Sequence, residues 1–168
     1  MVGLRDLGEA IDRSEEVIAV HVHTLRVESR AVQRRPHQIA GDLVIDGTRL
    51  LEQVERATGR AFDMASPLGW MPRAYLREYV ARLTADGPAM LPSGRCELLV
   101  CAECGDLGCG CVSCQVTRDG DYIVWSELGW EADYDPTGLV RFPMGSFRFR
   151  AGELASALEV QRQPDADA

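Results

Sequence analysis

All six cysteines of this 168-residue chain fall between Cys96 and Cys114. Thiols that dense call for a metal, a redox pair or a disulfide framework. The run CAECGDLGCGCVSC, from Cys101 to Cys114, gives C-x2-C-x4-C-x4-C when Cys101, Cys104, Cys109 and Cys114 are taken as ligands, a spacing that lets four thiolates close on one tetrahedral ion. After a Cys-x-x-Cys pair the chain must turn back so that backbone N–H groups point at sulfur, and Gly105 and Gly108 supply the permissive backbone that such turns need. Strand geometry selects a second ligand set. If Cys109 to Thr117 is extended at about 3.3 Å per residue, Cys114 lies roughly 16 Å along the chain from Cys109, whereas Cys111 is two residues on and faces the same side. The predicted zinc ligands are therefore Cys101, Cys104, Cys109 and Cys111, with Cys114 or a histidine as the other candidates for the fourth place. His21 and His23 share one face of a predicted strand and could reach a metal together, although histidines so placed more commonly belong to a half-buried sheet.

Other chemistry finds little footing. All 18 basic residues are arginine, which removes Schiff-base lysines, the phosphate-loop lysine and any lysine general base. There is no Gly-x-Ser-x-Gly, no His-Glu-x-x-His and no dinucleotide fingerprint. The acids Asp119, Asp121, Glu127, Glu131, Asp133 and Asp135 fit no calcium loop and read as a solvated face. Trp125 and Trp130 read as packing residues. Cys101 and Cys104 could cycle between thiol and disulfide, but reactive Cys-x-x-Cys pairs sit at helix N-termini, and this one is predicted in a strand and turn.

The elements that must hold these thiols follow from periodicity. CELLVCA and CVSCQVT flank the glycine loop as strands, and DYIVWSE follows across Arg118, Asp119 and Gly120, so a three-stranded antiparallel meander with a cysteine-rich β-hairpin is expected. Upstream, Leu4, Leu7 and Ile11 suggest a first helix, and VIAVHVHTLRV over 17–27 a buried strand. A basic link with Arg34, Arg35 and Pro36 precedes the strand GDLVIDG, which turns at Asp46 and Gly47. Thr48 is expected to cap a helix through Ala57 that ends at Gly59. Residues 63–72 are expected to form an apolar loop that covers the core edge, with a binding patch as the alternative, and a helix starts at Pro72 with Leu76, Tyr79, Val80 and Leu83 inward. Residues 138–142 and 146–149 are expected to add strands to the sheet, Glu153–Val160 a last helix, and 163–168 a frayed tail. The fold class is α+β: an antiparallel sheet packed against three or four helices, in a single domain over 1–162.

The C-x2-C-x4-C-x4-C run resembles the zinc knuckle, in which a histidine stands where this chain has Cys109 and glycines occupy the same two loop places. Knuckles that bind single-stranded nucleic acid surround the metal with aromatic or basic residues; this loop offers Ala102, Glu103, Asp106 and Leu107, so nucleic-acid binding is not carried over. From about Leu98 to Leu158, LLVCAECGDLGCG followed by IVWSELGWE, a Phe-x-Phe and a terminal helix resembles an uncharacterised bacterial protein family, some of whose members are loosely labelled oxidoreductases. That resemblance implies a shape and no activity.

Charge narrows the choice of partner. Residues 1–95 hold 13 arginines and 13 acids, and residues 96–168 hold 5 arginines and 13 acids, within a net charge of −8. An acidic half repels phosphate backbones and suits a basic protein partner or plain solvation. No apolar run has membrane-span length and the acidic N-terminus lacks signal-peptide character, so a cytoplasmic location is expected, where clustered cysteines are more often metal thiolates than disulfides. Two readings stand. One is a non-enzymatic protein with a structural zinc that contacts another protein through its acidic half; the other is a thiol-disulfide oxidoreductase or redox sensor.

Overall fold

The computed structural model describes residues 20–159. The expected first helix, residues 17–19 of the expected first strand and the C-terminal tail lie outside them. The architecture is α+β, with two antiparallel sheets and three α-helices among the described residues.

The first sheet is a hairpin of β1 (Leu25–Val32) and β2 (Arg35–Ile45), extended by the short β3 (Thr48–Arg49). Pairing runs from Leu25↔Ile45 to Ala31↔Ile39. The stretch expected to be a basic link is thus the hairpin turn and the start of β2. Arg34 turns the chain with φ +67°, and Pro36 stands near the strand start, where a missing N–H is tolerated. Strand β1 begins eight residues later than the expected strand, and His23 makes only an isolated bridge to Phe149. At the other end of β2, Asp46 and Gly47 form a two-residue loop with φ of +50° and +81°, as a type I′ hairpin requires.

Helix α1 (Leu50–Thr58) follows directly and buries Leu50, Leu51 and Val54. Thr48 does not cap it, because that residue is paired in β3 and the N-cap place falls to Arg49, which makes no capping bond. Gln53 instead donates to the Thr48 carbonyl at 3.1 Å. Gly59 ends the helix in the left-handed region, as expected.

The second sheet has the order β4 (Met64–Ala65), β5 (Cys96–Cys101), β6 (Cys111–Asp119), β7 (Tyr122–Glu131), β8 (Val140–Arg141), with β9 (Phe147–Arg150) also on β7. The β6–β7 loop is Gly120–Asp121, one residue later than the Asp-Gly reading, because Asp119 pairs with Tyr122. Glu127, at φ +50°, marks a bulge in β7 that divides its outer edge between β9 and β8.

The apolar segment 63–72 ties the two sheets together. Its Leu68 is fully buried, Ser66 Oγ donates to the Gly41 carbonyl at 2.7 Å, and the Gly41 N–H donates to the Leu68 carbonyl at 2.8 Å. Helix α2 (Arg73–Leu83) packs on β5, and Tyr79 Oη donates to the Leu98 carbonyl at 2.8 Å. Helix α3 (Ala151–Glu159) packs on β1, β7, β9 and α2, with Leu154 and Leu158 inward. Trp125, Tyr79, Phe149, Leu98 and Leu99 lie in one buried cluster that joins both sheets to all three helices.

Charge is also buried. Glu97 is fully covered on β5 and accepts from Arg82 Nε at 3.0 Å and Tyr75 Oη at 2.9 Å. Beside it, Arg95 donates to Ser113 Oγ at 3.0 Å and to the Glu127 carbonyl across the bulge. These links brace β5, β6, β7 and α2.

Candidate metal centre

The connection between β5 and β6 carries Cys101, Cys104 and Cys109, whose sulfurs all lie within 4.8 Å of one another. Cys104 Sγ and Cys109 Sγ are 3.5 Å apart. Two thiolates at roughly 2.3 Å from one tetrahedral ion sit about 3.8 Å apart, so the three sulfurs are close enough to bind a metal ion. Cys101 is half-buried at the end of β5, and Cys104 and Cys109 are exposed.

Local hydrogen bonding explains the clustering. After Cys101 the chain turns so that the Gly105 N–H donates to the Cys101 carbonyl at 2.8 Å, with Gly105 at φ +70°. A side chain there would be strained by that φ, and its Cβ would lie 2.6 Å from Met71 Sδ, so the methionine would have to shift. Asp106 then accepts from the Gly108 N–H at 2.8 Å and starts a single 3-10 turn, Leu107–Cys109, which brings Cys109 back over Cys104. Leu107, buried at the centre of this turn, anchors it in the core. The left-handed backbone expected at Gly108 is found at Gly110, with φ +94°. A Cβ at Gly110 would lie 2.1 Å from the Trp130 ring, so the indole closes directly over the link between Cys109 and Cys111. Met71, Leu107 and Trp130 were not foreseen as supports of the loop; the unusual apolarity of segment 63–72 was the available signal.

The thiols share protons unequally. Burial alone would raise Cys101, but hydrogen bonds from the Cys104 and Glu103 backbone and from the thiols of Cys104 and Cys109 hold it below the usual thiol range. Cys109 is pushed up to about 12 by its hydrogen bonds with the thiols of Cys104 and Cys101. Cys101 thus receives the backbone N–H groups that commonly support a metal-bound sulfur.

Cys111, expected as the fourth ligand, is not in the set. It is fully buried as the first residue of β6, paired with Glu131, and its thiol is pushed up to about 12 by burial and by the charges of Glu131, Glu97 and Asp133. The strand alternation that placed Cys111 beside Cys109 fails because Cys109 belongs to the 3-10 turn and Gly110 redirects the chain. Cys114 is likewise fully buried, opposite Cys96 on β5. Burial drives the Cys114 thiol well above its usual range and the Cys96 thiol to about 11. Both are inert core thiols.

The histidines gather elsewhere. His21 Nε2 lies 2.7 Å from Asp46 Oδ2, and His23 Nε2 lies 4.0 Å from the same oxygen. The Arg148 N–H donates to His23 Nδ1 at 3.0 Å, which places the neutral ring's proton on Nε2, facing Asp46. A metal at Nε2 would need that lone pair, so His23 is a hydrogen-bonded member of the sheet edge. Its ring also packs edge-on against Phe147 at 5.2 Å.

Comparison with protein-family models, with curated proteins and with solved structures finds no match for this chain. Among the described residues, no helix is long and apolar enough to cross a membrane.

Proposed function

We propose that the β5–β6 connection is a cysteine-rich hairpin that holds one structural zinc ion through Cys101, Cys104 and Cys109, with a light-atom donor from solvent in the fourth place. The observation that carries this reading is the convergence of three sulfurs within 4.8 Å on a loop whose turns direct backbone N–H groups at Cys101. Zinc suits a thiolate-rich donor set, and in a loop without long strands or helices it would contribute folding free energy directly. Cys104 and Cys109 lie on open surface, where a substrate would remain solvated, so a structural role fits better than a Lewis-acid one.

The protein then acts through contact with another protein. Tyr134 is 76% exposed and flanked by Asp133 and Asp135 on the acidic half, a combination suited to a basic partner with an apolar contact point. On this reading the resemblance to the zinc knuckle is one of metal-loop design, and nucleic acid is not the partner.

A thiol-disulfide oxidoreductase or redox sensor is the second reading. The 3.5 Å approach of Cys104 to Cys109 favours it, together with hydrogen bonds that hold the Cys101 thiol below its usual range. Elemental analysis of protein purified without added metal separates the two. About one zinc per chain supports the structural reading, because coordinated thiolates are poor redox reagents. A folded, metal-free chain that forms one intramolecular disulfide with mild oxidant supports the second.

A further inference from the structure

A cleft of about 770 Å³ opens between the C-terminal end of α1 and β8, with Trp130 in its lining. That volume lies within the range of small-molecule sites, roughly 300–1,000 Å³. Its lining is aromatic: Trp130 on β7, and Phe62 and Phe142, whose ring centroids are 6.1 Å apart. Val140 on β8 contributes an apolar surface that is 59% exposed.

The charge around this cleft runs against that of the chain. The whole protein carries −8 and the half containing β7 and β8 is the acidic half, yet the lining includes two arginines, Arg60 and Arg141, and no carboxylate. Arg141 is largely exposed and lies 3.7 Å from Glu127, a pairing weak enough at the surface to be exchanged for another anion. Among the described residues the Arg60 guanidinium has no ion pair. Buried aromatic surface next to guanidinium groups is the complement of a flat apolar body bearing an anionic end: the rings take the body, and the planar arginine forks take a carboxylate through paired N–H donors.

We propose that this cleft binds a small aromatic carboxylate, its ring against Trp130 and the Phe62–Phe142 pair and its carboxylate between Arg60 and Arg141. Phosphate alone would leave the aromatic wall unused, and a neutral aromatic would leave the arginines unsatisfied by the ligand. The site is separate from the thiol loop and does not depend on metal there.

The test is a titration of the full chain, in the form in which it is purified, with 2-naphthoate, followed by two-dimensional amide NMR. The neutral isostere 2-naphthalenemethanol and inorganic phosphate are run beside it. Saturable shifts confined to the end of α1, residues 60–62, Trp130 and residues 140–143 are expected for 2-naphthoate, with at least about tenfold weaker binding of the alcohol and of phosphate. Arg60→Gln and Arg141→Gln, both at exposed positions that leave the core intact, should each weaken 2-naphthoate by about tenfold, and the same affinity is expected in Cys104→Ser if that variant folds. Equal binding of acid and alcohol, unchanged affinity in the double arginine variant, tighter binding of phosphate, or no saturation at millimolar ligand would each overturn the assignment. Because the readout is independent of zinc, its failure leaves the reading of the thiol loop untouched.

Discussion

Each cysteine of the cluster has its own environment, and that environment decides its chemistry. Cys101, Cys104 and Cys109 meet at the surface, whereas Cys96, Cys111 and Cys114 are buried, with thiols held protonated by burial. Cys104→Ser should therefore lose the metal and, with it, stability, while Cys111→Ser should keep about one equivalent; zinc content and a thermal melt in parallel check both. Metal loss in Cys111→Ser alone would reverse the assignment. The convergence of Cys101, Cys104 and Cys109 was legible from Cys-x-x-Cys and the glycines that follow it. The separation of Cys111 from them was not, because a 3-10 turn three residues long leaves no periodicity to read, and alternation was extended through it by default.

A second prediction at this scale concerns Asp46. Burial would raise its carboxyl, but the hydrogen bonds from His21 and the Thr24 N–H and the nearby charges of His23 and His21 hold it below the usual aspartate value. A carboxyl lowered in the folded state stabilises above its unfolded pKa, near 4, and that contribution disappears as pH falls through the lowered folded value. Asparagine tolerates the φ of +50° at this position, so Asp46→Asn isolates the charge. The variant should be less stable than wild type at pH 5 and should converge with it as pH falls through the lowered folded value. Denaturant midpoints across that range provide the check, and a constant gap down to pH 2 would contradict the assignment.

Among the elements, strands with strong local signals were placed correctly and those defined by distant partners were not. CVSCQVT and YIVWSE are rich in β-branched and aromatic residues and CELLVC is largely apolar, and the three form the centre of the second sheet. The hairpin of β1 and β2 was obscured because Arg30, Gln33, Arg34 and Arg35 look like linker chemistry, and the long pairing of β2 depends on β1 and on Leu68. Neither buried ion group was legible either, since nothing in sequence marks Glu97 as the carboxylate that will meet Arg82 and Tyr75 rather than water. Replacing it leaves Arg82 buried without its counter-charge, and Glu97→Gln should cost about 3–5 kcal/mol. Urea unfolding measures this, and replacement of Arg82 by methionine in the same chain should recover a good part of the loss. A single-variant cost below about 1 kcal/mol would mean that water already reaches the pair.

The molecule as a whole combines a near-neutral first half with an acidic second half, and the cysteine loop lies in the acidic part. Phosphate backbones are repelled from such a surface, so neither single-stranded RNA nor DNA should bind at physiological salt; a salt-sensitive micromolar complex in a fluorescence anisotropy titration would show that the knuckle-like loop overrides the field around it. The α+β class was legible from alternating segment types. The division of the strands into two sheets was not, because it rests on segment 63–72 bridging them through Ser66, Leu68 and Trp70. That segment also presses Met71 against Gly105, so the packing between sheets and the shape of the thiol loop are set by the same ten residues.

X-ray absorption at the zinc edge, on protein purified without added metal, tests the assignment of three thiolates most directly because it counts sulfur neighbours. The account predicts about one zinc per chain with three sulfurs at roughly 2.3 Å and one lighter atom near 2.0 Å. Four sulfurs would return Cys111 or another thiol to the ion, and a folded chain without zinc would contradict the metal centre itself.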